Sequence, residues 1–203
     1  MNNSPLLVLI MSAACLYLGK LWLGDLRAQQ RGTPNPRAFP GAFPARPGAI
    51  LIAVGGALVL LAAETFGEIK LGLTAEQTHL TWLFAFYSLL APLIEEVVFR
   101  GFLVIDRRGP ALLWTGIVVA SLLFACLHEH LWTWDDAGFR LTLTPKGFFS
   151  TGVLFAMSLW MYACRFARWN PSRSLLPCLA GHAAKNAGVI AIKAAQGFMG
   201  PLW

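Results

Sequence analysis

Six stretches of this chain are each long and apolar enough to cross a lipid bilayer: about residues 5–23, 48–66, 79–105, 110–130, 147–165 and 174–196. The hydrocarbon core of a membrane takes roughly 20 residues of helix, and inside it every backbone N–H and C=O must be satisfied by the protein itself. A β-barrel would need strands of about ten residues with strict alternation, and none occur. The chain is therefore expected to be all-α and polytopic, a bundle of about six transmembrane helices. With 57% hydrophobic and 13% charged residues, against about 25% charged in soluble domains, it excludes both an ordinary cytosolic enzyme and a disordered chain.

The net charge of +6 is distributed by loop. Lys20, Arg27, Arg31, Arg37 and Arg46 flank the first connection, Arg107 and Arg108 follow the third span, and Arg165, Arg168 and Arg173 follow the fifth. The other connections hold Lys70, Arg140 and Lys146 and most of the acids: Glu64, Glu68, Glu76, Glu129, Asp135 and Asp136. Cytoplasmic loops carry the Lys and Arg excess. The basic loops are thus expected in the cytoplasm and both termini outside, as a multi-pass protein of a bacterial inner (plasma) membrane. The positive charge then reports topology, and no nucleic-acid partner is expected. Trp22, Trp82, Trp114, Trp132, Trp134, Trp169 and Trp203 fall near span ends, where an interfacial aromatic belt belongs.

No basic segment precedes the first span, so no cleaved signal peptide is expected. Cys15, Cys126, Cys164 and Cys178 fall in apolar spans without paired spacing and are read as packing residues. Residues 28–47, with Pro34, Pro36, Pro40, Pro44 and Pro47, read as an extended, solvated cytoplasmic tether rather than a helix. This divides the chain into residues 1–78, two spans with their Pro-rich loop, and residues 79–203, where the motifs lie.

Charges inside apolar helices carry the functional signal. The run Ala91-Pro92-Leu93-Ile94-Glu95-Glu96-Val97-Val98-Phe99-Arg100 places two carboxylates and a guanidinium in the third span. Each costs roughly 2.5–3.5 kcal/mol at a helix centre on insertion scales, which makes such residues functional candidates. Glu96 and Arg100, at i,i+4 in the favourable acid-first order, share a face. Glu95 is turned about 100° away, free to face a cavity, and Pro92 can kink the helix just before it. Phe124 and His128 share a face of the fourth span, and His182 and Asn186 a face of the sixth. At about 1.5 Å rise per residue, Glu95, His182 and Asn186 lie roughly 13–19 Å from the cytoplasmic ends, with His128 the outlier at about 27 Å. Lys185 is read as lying on a different face from Asn186, and Lys193 as snorkelling outward. His79 and His130 read as ordinary interfacial residues.

Glu95-Glu96-x-x-x-Arg100, Phe124-x-x-x-His128 and His182-x-x-x-Asn186, in that order on three apolar helices, resemble the CAAX-processing and bacteriocin-processing intramembrane protease family, which includes the type II CAAX prenyl endopeptidases. The resemblance covers about residues 79–196 and departs from the family pattern in an acidic and aromatic insert, Glu129–Lys146, and in the short chain. It implies an intramembrane endopeptidase acting on a membrane-anchored or lipidated protein or peptide: a CAAX-type tail, a sorting tail or a leader peptide. It further implies that Glu95 is the general base acting on water, helped by His128, that His182 and Asn186 stabilise the oxyanion, and that Glu96, Arg100 and Phe124 support them. No cofactor is expected. A zinc site would draw on Glu95, His128 and His182, a ligand set common in catalytic zinc centres. Two other classes remain open at this level: a non-catalytic membrane binding or immunity protein of the same fold, and an ion- or proton-coupled transporter. A transporter would predict inverted repeats, and none are found.

Overall fold

The computed structural model describes residues 4–106, 108–135 and 138–203. Arg107 and Asp136, which enter the loop-charge pattern, lie outside the described residues. The chain runs through α1 (Pro5–Gln30), α2 (Pro47–Lys70), a 3-10 turn (Thr74–Glu76), α3 (Trp82–Leu90), α4 (Pro92–Glu96), a π-helical segment (Val97–Phe102), α5 (Pro110–Leu127), strands β1 (Trp132–Asp135) and β2 (Gly138–Leu141), α6 (Pro145–Phe166) and α7 (Leu176–Ala195). α1, α2, the run from Trp82 to Phe102, α5 and α6 are long and apolar enough to cross a membrane. α7, whose apolar character is diluted by His182, Lys185, Asn186 and Lys193, completes a bundle of six.

Proline opens α1, α2, α4, α5 and α6 at N1 or N2, where its missing N–H is one that no helix uses. Thr81 and Thr144 cap α3 and α6 by accepting from the backbone N–H of Phe84 and Gly147, the usual work of an N-cap hydroxyl. Pro92 has a larger consequence. It cannot donate to the carbonyl of Ser88 four residues back, the helix breaks between α3 and α4, and beyond Glu96 the winding loosens to the π form. Loosened turns of this kind gather at functional sites, and Arg100 lies inside this one.

The core forms around small residues. Ala53 and Ala57 of α2 are fully buried, and Gly181 of α7 approaches so closely that a Cβ there would sit 3.0 Å from the Ala53 carbonyl oxygen. Small residues are what let membrane helices approach. Trp160 of α6 lies across the same seam, its Nε1 donating to Ala53 O at 3.0 Å. A Cβ on Gly56 would fall 2.1 Å from that indole ring, which its hydrogen bond holds in place. Gly56→Ala is therefore expected to lower stability by about 1–3 kcal/mol, the usual scale of overpacking, read as a lower unfolding temperature in detergent.

Three expectations need correction. The first span continues as helix to Gln30, so residues 28–30 are not linker, and of the connection 31–46 residues 31–38 are exposed as a solvated tether would be. Its second half docks into the bundle: Ala42 is buried, Leu175 N–H donates to Gly41 O at 2.9 Å, and Ser174 Oγ donates to Phe43 O at 2.5 Å. Gly41 is required there, since its φ is +67° and a side chain would strike Leu175. Trp22 does not belong to an interfacial belt. It is 1% exposed and donates to Pro40 O at 3.2 Å, whereas Trp82, Trp114, Trp134 and Trp203 are exposed. Cys15, Cys164 and Cys178 are buried, but Cys126 is exposed and packs no core. The insert after α5 forms an antiparallel hairpin, Trp132 opposite Leu141 and Asp135 opposite Gly138, with strands far too short to span a bilayer.

Candidate active site

Glu96 and Arg100 project from one face of the α4–π run and are completely buried. Arg100 Nη1 donates to Glu96 Oε1 at 3.2 Å, while Nη2 donates to Ser158 Oγ at 2.8 Å and Ser158 O at 3.3 Å. Ser158 in turn donates to Ser121 Oγ at 3.0 Å. The guanidinium lies over the rings of Phe124 at 4.7 Å and Tyr162 at 5.1 Å, within range of cation–π attraction. Tyr162 donates to Phe99 O at 2.6 Å and so ties α6 to the π segment.

This buried pair holds the imidazole of His182. Its Nδ1 lies 2.7 Å from Glu96 Oε1, and its Nε2 lies 3.6 Å from Glu95 Oε2. A carboxylate accepts only, so Nδ1 carries a hydrogen, and Nε2 is the atom presented to Glu95 and the cavity. The same logic applies to His128. Its Nδ1 lies 2.8 Å from Phe124 O, a carbonyl that can only accept, which leaves Nε2 as the working nitrogen. The Phe124 ring packs against both imidazoles, 4.8 Å from His128 and 6.2 Å from His182, and against Arg100. Phe124 thus aligns three polar groups with one apolar face. His128 is the C-cap of α5 with extended backbone, and its side chain bonds back to the preceding turn. For that reason a depth count along a continued helix overstates its distance.

Asn186 reaches the gap that Pro92 creates. Its Nδ2 donates at 2.8 Å to Ser88 O, the carbonyl that loses its helical partner because Pro92 has no N–H. The site therefore ties α3, α4 and α7 together through a backbone defect.

Glu95, His128, His182 and Asn186 all line one cavity of about 370 Å³. Glu96, Arg100 and Phe124 are not among its lining residues and form the support behind it. Lys185, turned about 100° from Asn186 on α7, also lines the cavity. It stands three residues after His182, a spacing that shares a helix face, and Lys185 Nζ pairs with Glu64 Oε2 at 2.7 Å. Glu64 and Glu68, read as loop acids, sit in the last turns of α2 and line the same cavity; Glu68 pairs with Lys146 and accepts from Gln77 at 2.6 Å. Lys193, half-buried, donates at 2.5 Å to Thr78 O, at an exposed position of the 71–81 connection. His130 likewise lines the cavity and stacks on His128. Among the described residues, no three His, Cys, Asp or Glu side chains are grouped to hold a metal ion.

The family model for type II CAAX prenyl endopeptidase Rce1-like proteins matches residues 77–188, a segment that contains all three motifs. The chain belongs to this family. No curated protein and no solved structure matches it. The Rce1-like segment starts just before α3 and ends within α7, two residues past Asn186. α2 lies outside it yet contributes Glu64 and Glu68 to the cavity wall. Family and fold together make the chain an integral, multi-pass member of a CAAX-type intramembrane protease family.

Proposed function

We propose that this protein is an intramembrane endopeptidase that hydrolyses a peptide bond of a membrane-associated protein or peptide, with water activated by Glu95. The observation that carries this reading is Glu95 Oε2. It is buried at the cavity wall, has no hydrogen-bond partner among the described residues, and faces His182 Nε2 at 3.6 Å, too far for a direct bond. A buried carboxylate oxygen left unpaired is costly unless it has work to do.

In this reading a water held by Glu95 and His128 Nε2 gives its proton to Glu95 as its oxygen attacks the scissile carbonyl carbon. The carbonyl oxygen takes up negative charge, stabilised by the Asn186 amide hydrogen that Ser88 leaves free and by His182, which in this reading carries a hydrogen on both ring nitrogens, Nδ1 donating to Glu96 and Nε2 to the oxyanion. The proton on Glu95 then passes to the amide nitrogen, the C–N bond breaks, and a carboxyl and an amine product leave. General base catalysis and aimed donors are what amide hydrolysis requires. Glu96 and Arg100 fix His182 and the local field. Tails, sorting segments and leader peptides on membrane-anchored or lipidated chains are the substrate classes this reading admits.

The test is cleavage of a membrane-anchored reporter by purified protein in lipid. Asn186→Ala is expected to slow cleavage by about 10²–10³-fold, the effect of removing one oxyanion donor, and a chelator is expected to have no effect. Chelator-sensitive cleavage would reinstate a metal, and full activity in Asn186→Ala would take that residue out of the reaction.

A further inference from the structure

The cavity has a direction. Helices α2, α5 and α7 run from the end of the bundle that carries connections 31–46, 103–109 and 167–175 to the end that carries 71–81 and 128–144, while α3 and α6 run the other way. From Glu95 and His182 at its base, the cavity is lined outward by Lys185 and Lys193 of α7, Lys146 in the first turn of α6, and Glu76 and Thr78 of the 71–81 connection. Among the described residues, none that lines it comes from 31–46, 103–109 or 167–175.

The opposite end is sealed. Ala42 is buried there, Gly41 and Phe43 accept hydrogen bonds from Leu175 and Ser174, and Asn170 Nδ2 donates to Ser174 O at 2.8 Å. This closed end also carries Arg31, Arg37, Arg46, Arg108, Arg168 and Arg173. Loops with such an excess stay in the cytoplasm.

The geometry points to a cavity that takes its substrate from the non-cytoplasmic side of the membrane, an inference that rests on the protease reading above. The cleaved segment is then an extended stretch on the outer side of a membrane-anchored protein or peptide, not a cytoplasmic tail. Along the wall Lys185 is paired with Glu64 and Lys146 with Glu68, and Leu61, Phe84, Leu154 and Val189 offer apolar contacts, while Glu76 and Lys193 also line the cavity. From His182 to Lys193 the wall rises about 16 Å at 1.5 Å per helical residue, room for about five residues of extended chain at 3.3 Å each.

Single cysteines test this in intact bacterial cells producing the full chain, in a Cys126→Ser background, since Cys126 is the exposed native thiol and the other three are buried. Glu76→Cys and Thr78→Cys, both at exposed positions by the mouth, are expected to react with a membrane-impermeant maleimide, and Thr33→Cys in the basic loop only after permeabilisation. The reverse pattern, or labelling of all three in intact cells, overturns the inference. A second arm uses single-span reporters carrying the cleavable segment on one side or the other. Glu95-dependent cutting of the outer reporter alone is expected, and cutting of the cytoplasmic one overturns the entry side. Labelling as expected with neither reporter cut would remove the hydrolytic reading and leave the outward mouth standing.

Discussion

Glu95→Gln is expected to leave the protein folded and to abolish its proteolysis, cutting the cleavage rate by about 10²–10⁴-fold, the contribution of a positioned general base. The substitution keeps the shape of the side chain and removes its capacity to take a proton. The fold should tolerate it because Glu95 Oε2 has no hydrogen-bond partner among the described residues, and the bonds that organise the surroundings run through Glu96 instead. Unfolding temperature and cleavage measured on the same preparation separate the two effects. Cleavage by Glu95→Gln at the wild-type rate would sink the proposed base, and a large drop in unfolding temperature would mean that Glu95 is structural.

The second large effect falls on stability. Arg100→Ala removes the cation from a fully buried site where it bonds Glu96 and Ser158 and lies over Phe124 and Tyr162. Breaking a buried pair from one side costs about 3–5 kcal/mol, because the remaining charge stays buried without its partner. That is a large share of the roughly 5–15 kcal/mol that holds a typical domain together. The expected outcome is a protein that unfolds far below the wild-type temperature in detergent. Arg100→Lys should recover only part of the loss, since a single ammonium cannot span Glu96 and Ser158 as the guanidinium fork does. A wild-type unfolding temperature in Arg100→Ala would show that the buried pair contributes nothing to the fold.

Much of this arrangement is legible in one dimension because its determinants are local. Span length and apolarity mark the helices, since lipid penalises each unpaired backbone group wherever it lies. The Glu96–Arg100 pair follows from i,i+4 spacing within a single helix, and the structure places it at 3.2 Å. The polar residues of three apolar spans stand out because each is costly in lipid, and four of them meet at one cavity. Features that join two distant segments are not legible in this way. Trp22 looks interfacial until Pro40, in a different part of the chain, receives its indole N–H. The proline-rich connection looks solvated until Leu175 and Ser174 take its carbonyls. Lys185 was within reach, since its spacing from His182 already places both on one face.

Hydropathy and periodicity are properties of each segment alone, and they suffice to show a membrane bundle, which helices carry charge, and which side chains share a helical face. How those faces turn toward one another comes from packing: Asn186 fills the bond Pro92 leaves open, Glu64 and Lys185 meet across the wall, and the cavity is closed at the basic end. The physical reason is that a helix rotated about its axis keeps the same hydropathy and backbone hydrogen bonds. Its orientation is set by close contacts such as those of Gly56 and Gly181, which exist only once the partner helix is in place.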